Sequence, residues 1–212
     1  LSVHPLATFL ASIENLTPSI GCLLKGLVMT SVQFKRSGEC EVVFAYPGTG
    51  KTYAGGFDGV LDARIGRFKY KKPICAHSLL EAERLKASPC CESDICDEWS
   101  MNYYHYLSEV QRSGEYRFIL APPIIPVMVT FEAECFNGGY QPYTLVYPRA
   151  DLADEYLQRY KDRGNAQSFI EVFYGDFAYF IRYYESMNPT KRVVLGSGQY
   201  VSDYIEGSLV GA

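Results

Sequence analysis

Eight consecutive residues, Ala45-Tyr46-Pro47-Gly48-Thr49-Gly50-Lys51-Thr52, combine two glycines, a lysine and a hydroxyl at a spacing suited to holding phosphate. Gly48 and Gly50 tolerate the backbone conformations that turn several N–H groups toward one anion. Lys51 adds an ammonium within reach of a phosphoryl oxygen, and a helix starting there adds the positive end of its dipole. Thr52 offers a hydroxyl to a Mg²⁺ ion carried by the same phosphates. The string fits the phosphate-loop pattern [AG]xxxxGK[ST], with Ala45 where glycine is commoner. Residues Pro47, Gly48, Thr49, Gly50, Lys51 and Thr52 are therefore expected to bind the phosphates of a nucleoside triphosphate, ATP with Mg²⁺ being the expected pair.

The flanking residues supply the context that such a loop requires. Glu41-Val42-Val43-Phe44-Ala45 is a short, nearly continuous apolar run with two β-branched residues, which suits a strand covered on both faces. After Lys51 only a short helix fits, because Gly55-Gly56 and Asp58-Gly59 end it within about two turns. Val60-Leu61-Asp62 then reads as a second strand with a carboxylate at its tip. Asp62 suits the hydration shell of Mg²⁺ or the acceptor side of a transfer, and equally an ordinary turn at a strand end. Arg64, two residues on, suits an acceptor phosphate.

Arg159 and Arg163 stand four apart, on one face of an expected helix. Two guanidiniums so placed can clamp a transferring phosphoryl group, whose charge spreads over its equatorial oxygens. Basic residues in a last turn before a Gly cap are also favoured by the helix dipole alone. Gly196-Ser197-Gly198 suits either close backbone approach to a nucleotide or a plain turn. Cys90, Cys91 and Cys96 with His77 or His105 lack the paired spacing of a zinc site. Asn15-Leu16-Thr17 matches a glycosylation pattern that chance supplies often. Three histidines, all outside the motif-bearing half, argue no Ser/His/Asp or Cys/His arrangement.

The elements that must position these residues alternate along the chain. Beyond the first two strands, residues 117–121, 143–147 and 192–195 read as further strands. Helices are expected over 99–110, 127–136, 152–163 and 167–184, the last as one continuous element. Such alternation implies right-handed βαβ units. The fold class is thus α/β, a P-loop NTPase-type three-layer sandwich whose parallel sheet of about five strands is flanked by helices. Residues 1–40, with short helices at 5–14 and 19–28 and a patch boundary at Thr17-Pro18, read as an N-terminal cap on a 41–212 domain. A further helical patch is expected at 79–85, before the Pro89-Cys90-Cys91 segment.

With 212 residues, 48% of them hydrophobic, one well-buried core is expected. A net charge of −4 gives no general pull toward nucleic acid or acidic lipid, so phosphate binding must be local. The longest apolar run, 118–131, is broken by three prolines, so no membrane span is expected. Seven cysteines without a paired framework suit a reducing, cytoplasmic setting. The 18 tyrosines suit a half-buried core, pocket walls or subunit interfaces. The start at Leu1 suits a piece of a longer protein.

The order Tyr46-Pro47-Gly48-Thr49-Gly50-Lys51-Thr52-Tyr53, then Val60-Leu61-Asp62, Tyr147-Pro148, Glu155-Tyr156-Leu157-Gln158-Arg159-Tyr160-Lys161-Asp162-Arg163-Gly164-Asn165 with Ser168-Phe169-Ile170, and Tyr200-Val201-Ser202-Asp203 resembles a phage-type P-loop nucleotide kinase-like family, similar to deoxynucleoside monophosphate kinases. The resemblance covers roughly 41–206. It implies a doubly wound core, ATP as donor, Mg²⁺, a nucleoside monophosphate as acceptor, and lid arginines at Arg159 and Arg163, with Lys51 also catalytic. Asp62 becomes a substrate- or metal-side carboxylate. The chain departs from the family after that residue, with Asp62-Ala63-Arg64-Ile65-Gly66 where a second acid and serines are usual. It also departs after the third strand, with Ala121-Pro122-Pro123-Ile124 and no acidic residue for Mg²⁺. A second expectation is a kinase-derived domain of a larger viral protein, in host cytoplasm or virion, kept for assembly or nucleotide sensing. A 5′-end polynucleotide kinase is disfavoured by the lack of a basic groove.

Overall fold

The computed structural model describes residues 40–69, 95–136 and 141–210. Its elements are β1 (Glu41–Ala45), α1 (Lys51–Ala54), β2 (Val60–Asp62), α2 (Gly66–Lys69), α3 (Met101–Ser113), β3 (Phe118–Ala121), α4 (Ile125–Phe136), β4 (Tyr143–Pro148), a 3₁₀ turn (Ala150–Leu152), α5 (Ala153–Asp162), α6 (Gln167–Gly175), α7 (Phe177–Ser186), β5 (Lys191–Leu195) and α8 (Val201–Val210). The expected cap over 1–40, Cys40 apart, the patch at 79–85 and the Pro89-Cys90-Cys91 segment lie outside the described residues.

The five strands form one parallel sheet in the order β2-β3-β1-β4-β5. Val42 pairs with Ile119 on one side and Tyr143 on the other, so the apolar run before the glycine loop is the central strand. Its side chains alternate between two layers, as strand geometry demands. Val42, Phe44 and Tyr46 enter a large cluster with Tyr103, Leu107, Met128, Phe131, Ile181 and Tyr184. Val43 and Ala45 face the opposite layer with Ala54, Leu120, Val146, Val201 and Ile205. Helices thus cover both faces, and the α/β three-layer architecture read from the sequence is the observed one. Phe44 is fully buried and meets Phe131 and Tyr143 edge-on, at 5.4 and 5.6 Å between centroids. Truncating it to alanine would cost about 3–5 kcal/mol through the cavity left behind.

The tyrosine surplus is largely core. Tyr46, Tyr103, Tyr143, Tyr147, Tyr156, Tyr160 and Tyr184 are among the largest fully buried side chains. The single helix expected over 167–184 is two, with the break at Asp176. Gly175 is a poor helix former, and the break re-aims the chain so that Phe177, Ile181 and Tyr184 of α7 are buried, whereas no residue of α6 is. α1 is one turn long, shorter than the two turns allowed for, and Gly55 caps it. α8 goes beyond the expected elements; it packs Val201 and Ile205, four apart, on the second layer.

Candidate functional site

The chain leaves β1 toward β2 on one side of the sheet and leaves β4 toward β5 on the other. Connections that diverge in this way open a crevice beyond the carboxyl ends of the two strands, where open α/β sheets bind ligands. The 46–50 loop follows β1 at that point. Gly48 and Gly50 have φ of +85° and +86°, a region that residues with a Cβ avoid. Gly50 is the N-cap of α1, and its carbonyl accepts from the amides of Tyr53 and Ala54. Thr49 is buried and its hydroxyl donates to the Tyr46 carbonyl at 2.7 Å, closing the turn.

Lys51 is half-buried beneath this loop, and its ammonium donates to the carbonyls of Ala45 (2.6 Å) and Tyr46 (3.1 Å). Burial lowers its pKa to about 7; the Asp62 charge acts against that shift and the Arg163 charge adds to it. Thr52 is exposed on α1. Asp62 packs against the end of α1, since a Cβ placed on Gly55 would stand 2.6 Å from the Asp62 Cβ. Its carboxylate accepts from Arg64 Nε at 3.0 Å; Asp62 is mostly covered, while Arg64 projects into solvent.

The two arginines occupy different surroundings. Arg159 has a side chain only 10% exposed, with its guanidinium 4.7 Å from the centroid of Tyr156 and 4.1 Å from that of Tyr200. It donates to the Gly48 carbonyl (3.2 Å), the Gln199 carbonyl (3.0 Å) and the Glu155 carboxylate (2.5 Å). Arg163 lies one residue past α5, is exposed, and has no hydrogen-bond or ion-pair partner for its guanidinium among the described residues. Its charge nonetheless acts on Lys51 and on the Tyr160 hydroxyl, so it stands within electrostatic range of the loop. The pair expected to act together therefore divides into a braced arginine and a free one.

Several residues quoted above only within the family resemblance, with no role of their own, also meet the loop. Tyr160 donates its hydroxyl to the Pro47 carbonyl at 3.2 Å, and a Cβ on Gly48 would meet its ring at 2.9 Å. Tyr200 covers Gly50 in the same way, at 3.0 Å. Val201 N–H donates to the Thr49 carbonyl at 2.9 Å, tying the start of α8 to the loop. Glu155 accepts from the Ser197 hydroxyl (2.7 Å) and the Gly198 amide (3.0 Å) as well as from Arg159. Burial works to raise its pKa, but the hydrogen bonds from Ser197, Gly198 and Arg159 outweigh it and hold the carboxyl below its ordinary value. The Glu155–Arg159 spacing of four was visible as a helical ion-pair signal.

For Mg²⁺ the donor set is sparse. Among the described residues no group of three or more His, Cys, Asp and Glu side chains could hold a metal ion, and β3 ends on buried Ala121. Thr52 and Asp62 fit an ion that keeps most of its waters and rests chiefly on substrate phosphate, the usual habit of Mg²⁺. Cys96 and His105 belong to no metal group; Cys90, Cys91 and His77 lie outside the described residues. No helix among the described residues is long and apolar enough to cross a membrane. Comparison with protein-family models and with curated proteins found no match.

Proposed function

We propose that this chain binds ATP with Mg²⁺ at residues 47–52 and transfers the γ-phosphoryl group to a nucleoside monophosphate. The observation that carries the reading is a glycine loop with two left-handed residues at the β1/β4 crevice and a half-buried ammonium beneath it, with the exposed Arg163 charge within electrostatic range. Lys51 and Arg163 repel one another in the protein alone, and an anion between them converts that repulsion into attraction. The resemblance at 155–165 to nucleotide kinases adds weight to the acceptor assignment.

In the reaction an oxygen of the acceptor phosphate attacks the γ-phosphorus in line. A new P–O bond forms, the bond from the γ-phosphorus to the β–γ bridging oxygen breaks, and its electron pair leaves with ADP. The chain's contribution is position and charge. Loop amides and Lys51 hold the donor, Arg163 faces the charge that develops on the transferring group, and Arg159 holds the loop in shape. Thr52 and Asp62 would hold a hydrated Mg²⁺, which would supply neutralisation of charge on the donor phosphates. Arg64 meets the acceptor phosphate. Incubation with labelled ATP and each nucleoside and deoxynucleoside monophosphate tests the reading: at least one diphosphate product is expected. ATP binding without product from any acceptor overturns the transfer, and absence of ATP binding overturns the whole.

One observation favours a second reading, a nucleotide-binding domain of a larger viral protein with an assembly or sensing role. Asp62 already pairs with Arg64 on the acceptor side, which leaves less charge free for an incoming substrate. Stable ATP binding without turnover, with the face away from the loop buried in a native assembly, is what this reading expects.

A further inference from the structure

We propose that Glu155 is a positioning residue that locks the 196–200 turn and the phosphate loop into one rigid jaw on the donor side. The ligand in question rests on the function proposed above; the mechanical coupling does not. Two segments remote in sequence, α5 and the 197–198 turn, meet at this carboxylate, and Arg159 carries the link on to the loop. Oε1 accepts from Arg159 Nη2 and from the Gly198 amide, and Oε2 from the Ser197 hydroxyl. Arg159, held in this way, gives two further donors to the carbonyls of Gly48 and Gln199. Val201 N–H closes the circuit on the Thr49 carbonyl.

Gln199 closes the turn locally, its N–H donating to the Gly196 carbonyl (3.2 Å) and its Oε1 accepting from the Gly196 amide (2.6 Å), but the Ser197 hydroxyl and the Gly198 amide depend on Glu155. Gly198 has φ of +72°, and residues 197–200 are exposed. Two glycines carry the largest backbone entropy to be lost on ordering. Charge-assisted hydrogen bonds to a partly covered carboxylate are the strong kind, and three of them converge here. Arg159 is further fixed by Tyr156 and Tyr200, and Tyr200 in turn is the wall beside Gly50. Ordering the turn and ordering the loop are consequently one event. A donor that uses loop amides meets a site whose ordering cost has been met in advance.

The test joins a measurement without nucleotide to one with it. In ligand-free E155A and E155Q, amide hydrogen exchange at Gly198 and Val201 is expected to accelerate by about tenfold or more, with E155Q the milder, while the sheet amides of Val43 and Val146 stay unchanged. S197A, at an exposed position, removes one of the three bonds, is safe for folding, and is expected to show a smaller acceleration of the same amides. In turnover assays E155Q is expected to raise the donor KM about tenfold and leave the acceptor KM within about twofold, a split that general loosening does not produce. Exchange in E155Q and S197A equal to wild type overturns the coupling. Equal rises in donor and acceptor KM overturn the donor-side assignment. If the wild-type chain binds no triphosphate, the proposed function falls while the exchange measurement still decides the role of Glu155.

Discussion

The Arg159 guanidinium donates to the Gly48 carbonyl oxygen at 3.2 Å, joining the helix after β4 to the loop after β1. Because its plane also lies against Tyr156 and Tyr200, Arg159 cannot swing toward a phosphate without breaking contacts on every side. Arg163, one turn further along, is free of such ties, and under the proposed function it is the arginine expected to meet transferred charge.

That division predicts opposite phenotypes for the two arginines. R163A is expected to leave folding near wild type, to weaken donor binding modestly and to lower kcat by about 10²–10³-fold, the usual cost of losing one charged donor to a transition state. R159A is expected to lower stability by about 1–3 kcal/mol, since Glu155 loses a charged partner and two carbonyls lose a donor. Thermal unfolding and steady-state kinetics on both variants decide the matter. A stable, fully folded R159A that has lost only kcat would reverse the roles.

Under the proposed function, Lys51 is expected to make triphosphate binding proton-linked. With its pKa lowered to about 7 by burial, it is mostly neutral in the free protein at pH 8 and mostly charged at pH 6. Phosphate oxygens raise that pKa, so binding takes up about one proton at pH 8 and close to none at pH 6. Calorimetry at pH 8 in Tris and in HEPES, whose ionisation enthalpies differ, is expected to give different observed enthalpies, and K51M is expected to lose binding altogether. Stability follows the same sign. The unfolded lysine, with a pKa near 10.5, holds more protons than the folded one, so the Lys51 contribution to stability rises with pH between about 7 and 10.5. Binding at pH 8 with identical enthalpies in both buffers refutes the linkage.

The acceptor side is tested at Asp62 and Arg64. R64A is expected to raise the KM for the monophosphate by about tenfold and leave the donor KM alone, the loss of one exposed charged contact. D62N is expected to weaken the dependence on Mg²⁺ concentration as well. If R64A improves turnover, the Asp62–Arg64 pair is a block and the assembly reading gains.

What could be read in advance was local. Val42 to Ala45 announce a buried strand, and the glycines and lysine that follow announce the loop, because each signal lies within a dozen residues. The fold class followed from alternation of such local signals. Arg159 illustrates the limit. Its spacing from Glu155 is visible, but its contacts with Gly48 and Gln199 span 111 and 40 positions, and no local pattern distinguishes a braced arginine from a surface one. The helix break at Asp176 escaped for a related reason. Seven of the twelve residues from Phe173 to Tyr184 are aromatic, so periodicity does not say which of them face inward, and packing against Tyr46 decides it. Tyr160 and Tyr200 stood in the motif segments with no role attached, and only the fold sets them against the two glycines.

Gly48 and Gly207 give a matched test of how tightly that loop is held. Alanine at Gly48 meets two penalties: a φ of +85° that its Cβ disfavours, and the Tyr160 ring at 2.9 Å. Tyr160 is fully buried with its hydroxyl on Pro47, so it has little room to yield. G48A is expected to cost about 2–4 kcal/mol and to abolish triphosphate binding. Gly207 lies within α8 with open space where a Cβ would go, and there alanine restores helix propensity. G207A is expected to stabilise by about 0.5–1 kcal/mol, seen as a rise of a few degrees in Tm, with nucleotide affinity unchanged. A G48A protein as stable as wild type would mean that the tyrosines do not pack on the loop, and the jaw built from Glu155, Arg159 and Tyr200 would lose its footing.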